Sequence, residues 1–135
     1  MSKKTFVSFG ILVAVLAVLI PWLAFRSNGD AETGAQDVPA DLKSGQSLFQ
    51  TNCGTCHTLY AAGTDGNYAP NLDVLLAPAG PVEGSAVKGV EERVLNALEN
   101  GVDSSTTPGR MPGGILNKQQ SQEVAEFVAH VAGEG

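Results

Sequence analysis

The residues best placed to do chemistry together are Cys53, Cys56 and His57, in the run Cys53-Gly54-Thr55-Cys56-His57. Two thiols separated by two residues can each add across a vinyl group of a haem to form thioethers. The next residue is then held below the iron, where its imidazole serves as an axial ligand. One covalently attached haem c is therefore the expected cofactor. These are the only cysteines in the sequence. A disulfide between them would close too short a loop to add much stability, and would leave His57 without a role. A zinc site needs four ligands, and the only other histidine, His130, has no second cysteine pair to help it. A thioredoxin-like dithiol expects a neighbouring βαβ pattern, which the sequence lacks.

A second iron ligand is sought among soft or nitrogen donors. The chain has two methionines, and Met1 belongs to the N-terminal end. Met111 precedes Pro112, which biases it away from helical geometry, and nearby glycines let the backbone approach a flat group closely. A thioether presented on a loop is a good iron ligand and raises the reduction potential relative to nitrogen donors. Met111 as a core filler is the alternative reading. His130 is the rival ligand, but on a helical wheel it falls beside Glu123 and Glu126, the place of a solvated histidine. Tyr60, Tyr68 and Arg110 are candidates for propionate contacts, and equally for surface packing.

Helices must position these groups. Asp41 is the expected N-cap of a helix reaching about Asn52, with Leu42, Gly45, Leu48 and Phe49 along one side. A Gly- and Pro-rich passage follows, holding the short apolar piece Leu72–Leu76. Val90, Val94 and Leu98 recur at every fourth position of a helix over Val87–Asn100, which Gly101 stops. The chain is irregular from Val102 to Gly114. Asn117 then caps a last helix, with Gln120 in the capping-box position and Val124, Phe127, Val128 and Val131 as its buried stripe. No segment shows sustained strand alternation, so the fold class is all-α.

Ahead of that domain, Lys3 and Lys4 precede an almost wholly apolar stretch, Phe6–Phe25, interrupted by Ser8, Gly10 and Pro21. As a helix it would extend about 30 Å, the thickness of the hydrocarbon core. Trp22 and Arg26 suit the far interface, and the basic residues favour an N-terminus inside. Residues 1–26 are expected to be a transmembrane anchor. A cleaved signal is the competing reading, with small residues at Gly29-Asp30-Ala31 and Thr33-Gly34-Ala35, although the apolar stretch exceeds the usual signal length. Either way the remainder is expected on the outer side of the cytoplasmic membrane. Residues 27–40 read as a flexible linker and 41–135 as the haem domain.

The formal charge is −6, and the imbalance is larger beyond Ser27, where five basic residues face all fourteen acidic ones. Such a surface excludes nucleic acid as a partner and favours a protein with a basic docking face. Aromatics make up only 6% of the chain, few to fill a small core, and a large buried cofactor would supply the missing volume.

From Asp41 onward the chain resembles a class I cytochrome c. Four features in order carry the resemblance: Gly45-x-x-x-Phe49 in the opening helix, the Cys53–His57 motif, Ala69-Pro70-Asn71-Leu72, and Arg110-Met111-Pro112-Gly113. The resemblance implies a fold of about four short helices around one haem. It implies that Phe49 packs against an aromatic of the closing helix, here Phe127. It also implies that the Pro70 carbonyl accepts a hydrogen bond from the His57 ring and that Met111 is the distal ligand. With both axial positions filled, the implied function is outer-sphere electron transfer, not catalysis. The implied partners are respiratory membrane complexes: a quinol-oxidising donor and a terminal oxidase or similar acceptor. A fixed haem subunit of a larger respiratory complex is an alternative. A gas-binding or peroxidatic haem protein is another, and it would need an open distal site. Lysines flanking the attachment motif are missing, which puts a lysine-ring docking mode in doubt.

Overall fold

Asn117 opens the last helix as its spacing predicts. The computed structural model describes residues 3–26, with side chains for 7–22, and then residues 35–103 and 109–135. Helix α5 runs Lys118–Val131; the Asn117 side chain accepts from the Gln120 N–H, while the Gln120 side chain accepts from the Asn117 N–H. That reciprocal box satisfies two of the N–H groups a helix start leaves unpaired. Val124, Phe127, Val128 and Val131 are all buried.

Against α5 lie two helices, α2 (Lys43–Asn52) and α4 (Ser85–Asn100). Phe49 of α2 meets Phe127 with ring centroids 6.2 Å apart and planes tilted by 58°, a favourable aromatic geometry. The approach needs Gly45: a methyl there would lie 2.7 Å from Cβ of Phe127 and collide with the Glu123 carbonyl. At the rim, Ser44 donates to the Glu123 carboxylate at 2.6 Å. That bond, and then one from Gln119, hold the Glu123 carboxyl below the usual carboxylate range. Val90 and Leu98 of α4 are buried, and Gly101 ends the helix at φ +73°, a conformation that favours glycine.

Between these helices come β1 (Thr58–Leu59), a 3-10 turn over Tyr60–Ala62, β2 (Thr64–Asp65) and α3 (Leu72–Leu76). After α4 follow β3 (Val102–Asp103) and β4 (Arg110–Met111). Each strand pair is antiparallel, with Thr58 opposite Asp65 and Val102 opposite Met111. The fold is otherwise helical, as the all-α reading expects, and these two short strand pairs are its addition. Their strands are only two residues long, too short for alternation to register in a sequence.

Asp41 is not a helix cap. A turn closed by Leu42 N–H to Pro39 C=O runs straight into α2, so Leu42 occupies the cap position with helical angles and no side-chain bond. Burial of the Leu42 side chain fixes that entry, and Asp41 stays exposed. Residues 35–40, read from sequence as the end of a linker, pack on the domain. Val38 is 7% exposed, and Gln36 donates its N–H to the Ala61 carbonyl at 3.1 Å. The apolar Val38 gives this segment something to bury. Residues 27–34, the rest of the expected linker and most of the candidate cleavage positions, lie outside the described residues.

The chain divides into two compact units, residues 1–32 and 33–135. In the first, helix α1 has backbone over Lys3–Arg26, and its large apolar side chains, such as Phe9, Ile11, Val18 and Ile20, are exposed. Among the described residues no helix is long and apolar enough to cross a membrane, so the transmembrane anchor expected over residues 1–26 finds no support there.

Candidate functional site

The attachment loop begins where α2 stops. Cys53 and Cys56 are free thiols, Cys53 buried and Cys56 half-buried. Burial, and then the neighbouring Cys56, push the Cys53 thiol up to about 11. The loop winds tightly, with His57 N–H and Cys56 N–H both donating to the Cys53 carbonyl. A second layer covers it from the β1–β2 hairpin. Methyls added at Gly54 or Gly66 would meet, respectively, Thr64 Cγ2 at 2.5 Å and the Cys56 carbonyl carbon at 2.6 Å. Thr58 Oγ1 donates to the Gly66 carbonyl, closing the hairpin over the loop. Gly54 was named only as part of the attachment motif, and Gly66 was not singled out in the sequence.

His57 is oriented by Pro70. Its Nδ1 lies 2.8 Å from the Pro70 carbonyl oxygen, which only accepts, so Nδ1 carries the proton and Nε2 keeps its lone pair. A carbonyl bonded to the far nitrogen fixes the ring and makes it a more electron-donating ligand. Pro70 is held in turn, since Ala69 donates its N–H to the Cys56 carbonyl and Asn71 caps α3 by accepting from Asp73 and Val74.

Asp73 was missed in the sequence, hidden in the apolar run Leu72–Leu76. It is 4% exposed; its two carboxylate oxygens accept from Tyr60 N–H and Gly133 N–H, each at 2.9 Å. The bonds tie the segment after His57, the helix after Pro70 and the end of α5 to one side chain. Burial, and then the Asp73 charge, push the Glu134 carboxyl up. Among the described residues no buried side-chain nitrogen or oxygen lacks a partner. Asp73→Ala leaves two backbone donors unpaired and is expected to cost about 2 kcal/mol, roughly a 10 °C fall in Tm for a domain this size. Thermal unfolding followed by circular dichroism checks this, and an unchanged Tm would remove the clasp from the account.

Met111 is half-buried against the core, with its backbone paired to Val102. The end of α4 clamps this loop: a methyl at Gly113 would lie 2.8 Å from Gly101 N and 2.6 Å from the Glu99 carbonyl, and Gly114 donates to the Leu98 carbonyl. Arg110 pairs with Asp103 at 3.1 Å on the surface. His130 is exposed, and its Nδ1–H donates to the Glu126 carbonyl one turn back. Tyr60 and Tyr68 are 50% and 55% exposed.

Two free thiols, an imidazole with Nε2 available and a thioether on a clamped loop suit a covalently attached haem in donor chemistry. Val102, paired with Met111, and Ile115 just beyond the loop leave apolar surface 43% exposed beside the thioether. Among the described residues no cluster of three or more acidic, histidine or cysteine side chains could hold a separate metal ion.

Residues 42–132 match the protein family described as Cytochrome c. Among solved structures, the chain is similar to the crystal structure of the c-type cytochrome SorU from Sinorhizobium meliloti. The two share 33% sequence identity over 69% of this chain and 92% of that one, with a TM-score of 0.51. No curated protein sequence matches.

Proposed function

Given that the chain belongs to the cytochrome c family and holds covalently bound haem c, we propose that it is a membrane-anchored one-electron carrier with His57 and Met111 as axial ligands. When bound, the haem supplies a one-electron Fe(III)/Fe(II) couple. Cys53 and Cys56 hold the group by two thioether bonds, so it cannot dissociate between donor and acceptor. His57 would hold the iron through Nε2, and the bond from Nδ1–H to Pro70 is the observation that carries this assignment. Met111 would offer a weakly donating sulfur that favours the reduced state, on a loop clamped to the end of α4.

With His57 and Met111 both holding the iron, the protein's own work would be to set the potential and to dock briefly. Weak redox encounters bury little surface. The excess of acidic over basic residues beyond Ser27 supports a partner with a basic face. The apolar run Phe6–Phe25, set between Lys3 and Lys4 on one side and Arg26 on the other, supports an anchor in the cytoplasmic membrane with the haem domain on its outer side. In that position a quinol-oxidising complex would be the donor and a terminal oxidase or similar complex the acceptor.

The absorption spectrum of the purified protein tests the reading. The oxidised form is expected to show the weak near-infrared sulfur-to-iron band, and the reduced form to bind no carbon monoxide at neutral pH. No band together with ready carbon monoxide binding would mean an open distal site, and would replace the carrier with a catalytic or sensing haem.

A further inference from the structure

The segment that carries Pro70 and the loop that carries Met111 meet at one aromatic ring. Tyr68 stands two residues before Pro70, and the bond from Ala69 N–H to the Cys56 carbonyl at 2.9 Å fixes where it leaves the segment. Its ring reaches Gly109, two residues before Met111. A methyl added at Gly109 would lie 2.5 Å from Tyr68 Cε1 and 3.0 Å from both Cζ and Oη. The far edge of the ring therefore rests on the Gly109 backbone, where any side chain would displace it. Tyr68 is 55% exposed, so its ring acts as a wedge at the surface and fills no core.

The end of α4 clamps the loop at Gly113 and Gly114; among the described residues little else holds its Gly109 side. The β3–β4 pairing is two residues long, and the Arg110–Asp103 pair is exposed, where such pairs contribute little. The ring on Gly109 is a contact between the two sides of the site that does not pass through the helices.

We propose that Tyr68 is a positioning residue for the distal ligand: its ring, seated on Gly109, holds the Gly109–Met111 segment closed and sets how often Met111 leaves the iron. The second half of that statement rests on Met111 being the ligand, whereas closure of the segment does not. Loss of the ring is expected to raise the open population roughly tenfold, a ratio that corresponds to about 1.4 kcal/mol. An exogenous ligand that must wait for opening then binds faster by the same factor.

The experiment uses the haem-loaded full chain as wild type, Tyr68→Ala and Tyr68→Phe. It measures the rate of imidazole binding to the oxidised protein and amide hydrogen exchange in the β3–β4 hairpin, with the α5 amides as reference. Tyr68→Ala is expected to speed imidazole binding and hairpin exchange together, about tenfold, while exchange at Val124 and Phe127 stays put. Tyr68→Phe keeps the ring and is expected to remain near wild type. Unchanged rates in Tyr68→Ala overturn the proposal, as does faster exchange spread evenly through α5, which would mark a general loss of stability. Faster exchange at the β3–β4 amides with unchanged imidazole binding would keep the brace and overturn its control over how often Met111 leaves the iron.

Discussion

Met111→Ala is expected to abolish the near-infrared band, admit carbon monoxide to the reduced protein, and lower the reduction potential by on the order of 0.1–0.3 V. The potential change is a modest part of the roughly 0.8 V that axial ligands command. Its sign follows from the sulfur, which donates weakly and stabilises the reduced metal relative to nitrogen or water. The substitution should leave the loop standing, because what clamps it is backbone. Gly113 sits on the end of α4, Gly114 donates to the Leu98 carbonyl, and Met111 pairs with Val102 through its main chain. Redox titration and absorption spectra check the result. A variant that keeps the band and the potential would assign the sulfur role elsewhere and end the His57/Met111 reading.

Gly45→Val is expected to remove about 3 kcal/mol or more of stability, a large share of the 5–15 kcal/mol that holds a typical domain together. The side chain would be driven into the Glu123 carbonyl and Phe127 Cβ, and neither is the yielding end of a flexible side chain. Relief requires α2 and α5 to separate, which would also part Phe49 from Phe127 and Ser44 from Glu123. Guanidinium unfolding of the haem-loaded protein measures the loss. A wild-type midpoint would show that the seam tolerates a bulkier residue and that its glycine is incidental.

The long helices were legible because each buries a stripe at helical spacing and carries its own punctuation. Val90 and Leu98 with Gly101, and Val124, Phe127 and Val131 with Asn117, needed no knowledge of the rest of the chain. The attachment motif was legible for a similar reason, since its chemistry depends on residues adjacent in sequence. What escaped depends on distant partners. Asp73 reads as a polar interruption until Tyr60 and Gly133 are placed beside it. Gly66 matters only because the hairpin lays it on Cys56, and Gly109 only because Tyr68 reaches it. Asp41 misled because local capping preference was outweighed by burial of Leu42, a tertiary effect. The role of Pro70 came from resemblance to a family, since no residue preference assigns a carbonyl to one histidine nitrogen.

The packing of α2 on α5 also imposes a sequence of events. A polypeptide is made from its N-terminal end, so Cys53, Cys56 and His57 are present before Glu123, which stands 79 positions from its partner Ser44. During that interval Gly45 and Phe49 have nothing to pack against, and the two thiols lie on an unfinished chain. When α5 arrives the seam shuts; in the folded domain Cys53 is 7% exposed, and burial makes its thiolate harder to form than on an open chain. Haem attachment thus has a time window, open while the chain is incomplete and narrowing as it is finished. A mutation that hastens closure of the domain around Cys53 would shorten that window and lower the yield of loaded protein, even while it makes the finished domain more stable.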